Sequence, residues 1–363
     1  MSNDTLAWLR WVLIPEIGLK RAHQLLALVD SPQALFLHPD RWPLPDRIKT
    51  TIREMNLLGE QHPVHRKALE QLRWAELENN HLLTLTDSAY PDQLTQIYEA
   101  PLVLWARGQL SALAKPQIGM VGSRQASHRA MRHAAHISQR LAESDLTITS
   151  GGAKGIDAAC HQATLDSNGS TIAILGCGVD IVYPKSNRLM FQNLTQSGLL
   201  LSEYSLGTPP RPGHFPRRNR LISGLSEVLI IIEASLKSGS LITAQHALEQ
   251  GRDIFAMPGD IDNPNSDGCH RLIQDGAYLL SSADDILNHL KWQQNTRHTV
   301  HHDPLEGLSD VQRQIVNTLK TEQQPLDVLA HRLSLSVHQL LEPVLELELS
   351  GVIEQQPGGY ILL

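Results

Sequence analysis

Short apolar runs alternate with helical stretches through the middle of the chain. The runs are Ile118–Val121, Leu146–Thr149, Thr171–Leu175, Leu199–Leu201, Val228–Ile232 and Ile254–Met257. Runs this apolar are typical of strands buried on both faces, and the helical stretches between them, such as Ser127–Glu143 and Leu241–Gln250, supply crossover connections. The pattern predicts an α/β domain over residues 114–291 with a Rossmann-like, doubly wound and mostly parallel sheet.

Helical spacing dominates residues 1–60. Apolar positions recur every three or four residues, and the spacing breaks at Ile14–Gly18, a turn followed by the basic pair Lys20 and Arg21. The turn resembles that of a helix-hairpin-helix, in which backbone N–H groups can reach a phosphate, but short helical bundles without that role share the pattern. We expect a small helix-hairpin-helix or SAM-like domain here and leave its contact with DNA open.

Two further segments flank the predicted sheet domain. Residues 61–113 carry a helical stretch, His65–Asn79, and then extended segments around Leu82–Leu85 and Leu102–Ala106. We interpret this part of the chain as a connector packed on the sheet domain. Residues 292–304 are polar and rich in histidine, which is typical of a linker.

Residues 305–363 show three helical segments followed by a short hairpin around Pro357–Gly359, which predicts a winged helix. A helix that enters the major groove normally carries lysine or arginine. From Leu333 to the last residue the chain has neither, and His338 is accompanied by glutamates at positions 342, 346, 348 and 354. We therefore hypothesise that this domain contacts protein, or another part of its own chain, rather than duplex DNA.

Composition narrows the class of protein. The 363 residues are 41% hydrophobic and 19% charged, which suits two or three packed domains and is too apolar for a disordered chain. The apolar run near the start is broken by Arg10 and closed by Pro15, so we expect neither a signal peptide nor a membrane span, and a cytoplasmic location. Cys160, Cys177 and Cys269 lack CxxC spacing, so we expect reduced thiols rather than disulfides or zinc ligands.

Positive charge is concentrated in the segment Tyr204–Ser226, although the whole chain carries a formal charge of -7. The segment contains arginines at positions 211, 217, 218 and 220, a phenylalanine at 215 and no carboxylate. Proteins that bind single-stranded nucleic acid neutralise its phosphates with cationic side chains and stack its bases on aromatic rings. This composition therefore indicates a segment that binds nucleic acid.

Glycine-rich turns follow three strands of the predicted sheet, at Gly119–Arg124, Ser150–Asp157 and Ser238–Thr243. The carboxyl ends of parallel strands line one crevice, where backbone N–H groups at helix N-termini attract anions, most often phosphates. Arg124 and Lys154 add full positive charges at two of these turns. We expect a phosphate-binding crevice; the alternative is that the glycines only permit tight turns.

The first of these turns lies in a segment whose charged residues are all basic. Ala100–Ala142 contains no aspartate or glutamate, while basic residues accumulate at Arg107, Lys115, Arg124, Arg129, Arg132 and Arg140. Arg124 lies in the turn itself. We expect Arg132 and Arg140 to lie on a solvated helix face.

The sequence argues against a nucleotide cofactor. A dinucleotide fingerprint needs three glycines in one turn and an acidic residue about twenty positions later. The first turn has Gly119 and Gly122 but no third glycine in place, and no carboxylate ends the second strand. Gly155 follows Lys154, so the hydroxyl of a phosphate-binding GxxxxGK[ST] loop is missing as well.

Catalytic candidates are few. Asp157 and His161 lie four positions apart on one predicted helix and could form an acid-base couple, or could simply cap and pack that helix. Glu203 and Glu233 lie near strand ends without an identifiable partner. The linker histidines, at positions 298, 301 and 302, suggest a spacer rather than a metal site. We expect no enzymatic activity, no cofactor and no bound metal.

Several motifs occur together in one order along the chain. They are Gly122-Ser123-Arg124, Ser150-Gly151-Gly152-Ala153-Lys154-Gly155-Ile156-Asp157, Tyr183-Pro184-Lys185-Ser186-Asn187, Ser202-Glu203-Tyr204, Phe215-Pro216-Arg217-Arg218-Asn219-Arg220, Ser238-Gly239-Ser240-Leu241-Ile242-Thr243-Ala244 and Pro258-Gly259. With them the chain strongly resembles the DprA/Smf family of bacterial DNA-processing proteins. The resemblance is densest from Tyr90 to Leu290. Gly152 is a departure, since many members carry leucine there.

The resemblance implies a non-enzymatic protein that binds incoming single-stranded DNA during natural transformation, protects it and loads the RecA recombinase onto it. In that family the DNA pocket is formed by the arginine of the GSR turn, the lysine of the SGxAxGID turn and the FPxRNR segment. The candidate binding residues here are therefore Gly122, Ser123, Arg124, Lys154, Gly155, Phe215, Arg217, Arg218, Asn219, Arg220, Ser238 and Gly239.

The family also works as a homodimer through the end of its Rossmann domain, near which RecA docks. The resemblance implies that the dimer and RecA surface includes His270, Ile273, Gln274 and Leu279.

An enzyme remains the alternative function, specifically a nucleotide-processing hydrolase on a related Rossmann-like fold with a PGGxGTxxE motif. The corresponding turn here, Ser238–Thr243, places His246 where the motif has its glutamate.

Overall fold

The computed structural model describes residues 3–29, 31–291, 308–320, 323–349, 352–356 and 358–362. Within these ranges, nine strands form one sheet. The chain divides into two units, Met1–Gln294 and Asn295–Leu363, and the sheet belongs to the first. Its strands are β1 (Asn80–Thr84), β2 (Val103–Gly108), β3 (Gln117–Gly122), β4 (Thr147–Ser150), β5 (Thr171–Ile174), β6 (Leu199–Ser202), β7 (Val228–Ile232), β8 (Asp253–Ala256) and β9 (Tyr278–Leu279).

The strand order is β1-β2-β6-β5-β4-β3-β7-β8-β9. Strands β3 to β9 are parallel, and β1 and β2 extend one edge in the antiparallel sense. The doubly wound, mostly parallel sheet predicted from the sequence is therefore confirmed. After β3, the chain adds β4, β5 and β6 on one side of that strand. It then returns to the other side of β3 and adds β7, β8 and β9 there, so a topological switch point lies between β3 and β7.

Helices surround this sheet. They are α1 (Asn3–Leu13), α2 (Leu19–Leu26), α3 (Pro32–Leu37), α4 (Asp46–Leu58), α5 (Pro63–Ala75), α6 (Asp92–Thr95), α7 (His128–Glu143), α8 (Ile156–Asp166), α9 (Arg188–Ser197), α10 (His214–Leu225), α11 (Ser240–Glu249), α12 (Asp267–Gln274) and α13 (Ala283–His289). Alternate residues of β7 enter two apolar clusters. One cluster joins it to α7, α8 and α13, and the other to α10, α11 and α12, so helices cover both faces.

The N-terminal helices pack against the antiparallel end of the sheet. Trp8 and Trp11 of α1 share an apolar cluster with Trp105 of β2. The buried Gln71 side chain of α5 accepts a hydrogen bond at 3.0 Å from the Trp105 indole N–H and another at 3.0 Å from the backbone N–H of Leu206. The two extended segments anticipated in residues 61–113 are β1 and β2, so this part of the chain adds strands to the sheet as well as packing on it.

The second unit contains α14 (Asp310–Leu319), α15 (Leu326–Leu333) and α16 (Val337–Leu349), followed by the hairpin of β10 (Ile353–Gln356) and β11 (Gly359–Leu362). Ser309 and Gln312 form a capping box at the start of α14. Ile315, Leu329 and Leu340 bring the three helices together in one apolar core. The predicted winged helix is confirmed.

Within the described ranges, no helix combines the length and the apolar character that a membrane crossing requires.

Candidate nucleic-acid interface

A cavity of about 680 Å³ lies at the switch point, between the carboxyl ends of β3 and β7 and the start of α10. Eight of the residues expected to bind nucleic acid line it: Gly122, Ser123, Arg124, Phe215, Arg218, Asn219, Ser238 and Gly239. The first and third glycine-rich turns therefore face one crevice. The second turn contributes Ala153 and Asp157 to the lining.

The turn that carries Arg124 is held at both ends by Glu233, the residue after β7. The Glu233 carbonyl oxygen accepts a hydrogen bond from Ser123 N–H at 2.8 Å. Its buried carboxylate accepts from the Ser127 backbone N–H at 2.9 Å and from the Ser127 hydroxyl. Ser127 in turn caps α7 by accepting from the Ala130 N–H at 3.1 Å. A fixed backbone thus presents the exposed Arg124 side chain beside the cavity.

The second glycine-rich turn packs directly on the first. Ile156 N–H donates to the Ser123 carbonyl oxygen at 3.2 Å. Gly155, at a φ of +75°, lies so close to the same oxygen that a Cβ would collide with it. Glycine is required here both by the left-handed backbone and by this close approach.

Asn187 holds the second turn from its other side. Its side-chain amide donates to the carbonyl oxygens of Gly152 and Ala153, at 3.2 and 3.1 Å. Lys154 follows directly; it is exposed and does not line the cavity.

Phe215 forms an aromatic platform on the cavity wall. Its ring lies against Gly176, where a Cβ would approach Phe215 Cδ1 to 2.9 Å. The Tyr183 ring packs on it with centroids 5.4 Å apart, and Cζ of Arg124 lies 5.6 Å from the Phe215 centroid. An aromatic ring beside a guanidinium can take both parts of a nucleotide, because the base stacks on the ring and the phosphate meets the cation.

Arg218 lies beneath the cavity and is only 4% exposed. Its Nη1 donates to the carbonyl oxygen of Gly151 at 2.6 Å and to that of Ile174. Burial, reinforced by Arg124, lowers the pKa of Arg218 to about 10, whereas Asp157 favours its charged form. Burial also raises the pKa of Asp157, and Arg218 opposes that shift. Arg218 therefore places positive charge in the cavity floor while it ties α10 to the ends of β4 and β5.

Arg217 and Arg220, which are also predicted to bind nucleic acid, do not line the cavity. Both guanidinium groups turn to Glu203: Arg220 pairs with its Oε2, and Arg217 Nε lies 3.6 Å from its Oε1. The physical reason is the helix itself. Residues 215, 218 and 219 of α10 share one face, and residues 217 and 220 point to another.

The possible acid-base couple of Asp157 and His161 is not formed. His161 Nδ1 lies 2.7 Å from Thr171 Oγ1, and Asp157 accepts from the Ala153 N–H at 3.2 Å. Burial, aided by Arg218, lowers the pKa of His161 to about 3, so this imidazole is neutral at physiological pH. The packing interpretation of the pair is the one that the geometry supports.

Burial also raises the pKa of all three cysteine thiols, to about 12 for Cys160 and about 11 for Cys177 and Cys269. Across the described ranges, no group of three or more histidine, cysteine or carboxylate side chains is placed to hold a metal ion. His298, His301 and His302 of the predicted linker lie outside those ranges.

The residues implied for a dimer and RecA surface lie at the edge of the sheet opposite β1. His270, Ile273 and Gln274 belong to α12, and Leu279 to the edge strand β9. Leu279 is 52% exposed and its neighbour Tyr278 48%. His270 Nε2 is engaged with the backbone of Gly259, at 3.1 Å from its carbonyl oxygen.

Sequence reasoning missed two contributors to this site. Tyr183 lines the cavity and Asn187 fixes the lysine turn, and both belong to a motif noted only for its resemblance. Their position in the sequence could have indicated this role. Tyr183 and Asn187 follow β5, and the carboxyl end of β5 lies at the same crevice.

We expect the Arg218→Met variant to lose about 3–5 kcal/mol of unfolding free energy at pH 8, because it removes the positive charge that opposes the raised pKa of the buried Asp157. The raised pKa of Asp157 means that the folded state binds this proton more tightly than the unfolded state. The penalty should therefore shrink as the pH falls from 8 to 5, and urea unfolding at both values measures it.

The matched control is Arg217→Met, which removes a guanidinium from a side chain that is 45% exposed. It should change the unfolding free energy by at most about 1 kcal/mol at either pH. A penalty for Arg218→Met that stays the same at pH 5 and pH 8 would contradict the coupling to Asp157.

Two family models match this chain. Residues 81–291 match that of DNA recombination-mediator protein A, and residues 300–359 match that of the DprA winged helix domain. Protein Smf of Escherichia coli K12 is 41% identical over 305 residues, which cover 82% of each chain. The DNA processing protein DprA of Streptococcus pneumoniae R6 is 43% identical over 224 residues, covering 59% of this chain and 79% of that one.

Solved structures agree with these sequence matches. The X-ray structure of DprA from Streptococcus pneumoniae superposes with a TM-score of 0.58 at 37% identity and covers 75% of this chain and 98% of that one. DprA from Helicobacter pylori, a protein whose structure addresses its binding of single-stranded DNA, gives a TM-score of 0.53 at 31% identity over 58% of this chain and 96% of that one. With more than half of its length matched by the family model, the chain belongs to the DNA recombination-mediator protein A family, that is, the DprA/Smf family.

Proposed function

We propose that this protein binds single-stranded DNA in the cavity at the β3–β7 switch point. The observation that carries the proposal is the aromatic platform of Phe215 with the Arg124 guanidinium 5.6 Å from its centroid, on the wall of a cavity of about 680 Å³. The Helicobacter pylori relative, described as a single-stranded DNA-binding protein, supports the same ligand here.

Each part of the site has a separate task in this proposal. Arg124 and Lys154 neutralise phosphates from the cavity edge. A base stacks on the platform, a contact worth about 1–3 kcal/mol that does not depend on base identity. Arg218 contributes charge from below, while Arg217 and Arg220 position α10 through Glu203.

The cellular role we infer is that of a recombination mediator in the cytoplasm: the protein protects incoming single strands during natural transformation and helps load the RecA recombinase. Membership of a family described as DNA recombination mediators supports this role. A phosphate-binding crevice that uses stacking and backbone contacts suits it, because a mediator must accept strands of any sequence.

We infer that the winged helix serves a protein contact. The face of α16 carries exposed apolar side chains at Val337, Leu341 and Leu345, which are 43%, 51% and 55% exposed. Positions four apart share one helix face, so these side chains form an apolar stripe. Such a stripe is typical of a surface that packs against protein, whereas a DNA-reading helix presents cations.

The proposed role is not enzymatic, and an assay separates it from the alternative hydrolase. At the position of the motif's glutamate, α11 carries the half-buried His246, whose Nδ1 lies 3.4 Å from Oε2 of the exposed Glu249. We therefore expect no release of free base when purified protein is incubated with nucleoside monophosphates. Release that disappears in a Glu249→Gln or His246→Ala variant would instead favour the hydrolase.

The Arg124→Ala, Lys154→Ala double variant should bind oligothymidylate about tenfold or more weakly at about 50 mM salt, because two phosphates lose their cations. Its plot of log affinity against log salt should be flatter by about 1.4, since each phosphate contact on a single strand contributes about 0.7. Fluorescence anisotropy over a salt series measures both. Wild-type affinity and slope in this variant would refute the cavity as the binding site.

A matched control replaces two basic residues of the N-terminal helices, Lys49→Ala and Arg73→Ala, which lie far from the cavity in sequence and do not line it. This variant has the same change in net charge. It should keep both the affinity and the salt slope within about a factor of two of the wild type.

We further propose that the protein forms a homodimer through α12 and β9, because β9 is an edge strand with exposed side chains. Replacement of Ile273 and Leu279 by aspartate should weaken dimerisation about tenfold or more, since an unpaired charge would be buried in the interface. Sedimentation velocity over a concentration series measures the effect. Leu57→Asp, at a leucine that is 85% exposed in α4, is the control and should leave the association state unchanged.

A further inference from the structure

A second cavity, of about 700 Å³, lies beside the candidate interface. One wall is α7, and the other consists of the segment after β8 and the start of α13. We call it the α7 groove. Its α7 wall presents Arg129, His133, His136 and Arg140.

The spacing of these four residues is that of a single helix face. Intervals of four, three and four positions keep side chains in one row, and the row extends roughly 16 Å along the helix axis. Four basic or titratable side chains of α7 therefore line the groove, while His128 and Arg132 of the same helix lie outside it.

The facing side of the groove carries carboxylates. Asp260 comes from the segment after β8 and Asp284 from α13, and Glu233 lies at the end nearest the Arg124 turn. Arg140 Nη2 lies 3.7 Å from Asp284 Oδ1. Two arginines thus face three carboxylates. The lining has one net negative charge when both histidines are neutral and one net positive charge when both are protonated.

The groove and the cavity share a wall. Ser123, Arg124 and Gln125 line the cavity, whereas Ser127 at the other end of the same turn lines the groove. On the opposite side, Asn265 faces the cavity and Asn263 the groove. A polyanion that leaves the cavity past Arg124 has only this turn to cross before it meets Arg129.

We propose that the α7 groove is a second phosphate-binding segment of the single-stranded DNA path, which engages the strand when His133 and His136 become protonated. This proposal rests on the function proposed for the cavity. It adds a separate site with a separate dependence on pH.

Protonation and binding reinforce each other in this arrangement. Burial, together with Arg129, Arg132 and His136, lowers the pKa of His133, so the unbound groove holds this side chain neutral at physiological pH. Phosphates near the two imidazoles favour their charged form, and binding should therefore take up protons. The contribution of the groove should grow as the pH falls from 8 towards the lowered pKa of the unbound His133.

The experiment compares two oligothymidylates, a trinucleotide that occupies the cavity alone and a 20-mer that can also follow the groove. Their affinities for the full chain are measured at pH 8 and pH 6 in buffers of equal ionic strength. We expect the ratio of 20-mer to trinucleotide affinity to rise at least threefold from pH 8 to pH 6 in the wild type. In a His133→Gln, His136→Gln variant that ratio should remain constant, with trinucleotide affinity unchanged.

The matched control is His128→Gln, which replaces a histidine of α7 that does not line the groove and is not among the groups that lower the pKa of His133. It should retain the wild-type response to pH. A His133→Gln, His136→Gln variant that also retains the full response would overturn the groove proposal. Failure of the cavity proposal looks different, because trinucleotide affinity would then be insensitive to the Arg124→Ala, Lys154→Ala replacement.

Discussion

The position of the basic turn depends on one buried residue, Glu233. Its backbone holds the start of the turn through Ser123, and its carboxylate holds the end through Ser127. The residue adopts a left-handed backbone with φ of +50°. In this conformation its carbonyl oxygen and its carboxylate both accept hydrogen bonds from the segment Ser123–Ser127. Because a buried carboxylate must be hydrogen-bonded, the turn and the start of α7 are fixed together, and with them the wall between the cavity and the groove.

A second constraint links the site to the rest of the sheet. Arg218 joins α10 to two strand ends, and its positive charge balances the buried Asp157. The positive potential in the cavity therefore comes from two layers. The upper layer consists of Arg124 and Lys154, which are exposed and can contact phosphates. The lower layer is Arg218, which is hydrogen-bonded inside the protein, so its removal should lower the stability of the fold.

The sheet was predictable because its strands are nearly all apolar, and a strand buried on both faces leaves that mark on the sequence. The crevice was predictable because carboxyl ends of parallel strands converge. The division of labour within Phe215–Arg220 was not. Consecutive helical residues are turned by about 100°, and the partner of Arg217 and Arg220 is Glu203, which reaches them only after folding. Tyr183 was missed for the same reason, since its neighbour Phe215 is distant in sequence.

The contact between Phe215 and Gly176 has a consequence for how a strand is received. On the side of Gly176 the main chain leaves the ring little room to move. We therefore expect its rotamer to be the same with and without a bound strand. Little side-chain freedom is then left to lose on association, so more of the stacking energy is available as affinity. Gly176 thus supports the Phe215 ring as a rigid flat surface. Such a surface suits the flat face that all bases share, rather than the edge by which one base differs from another.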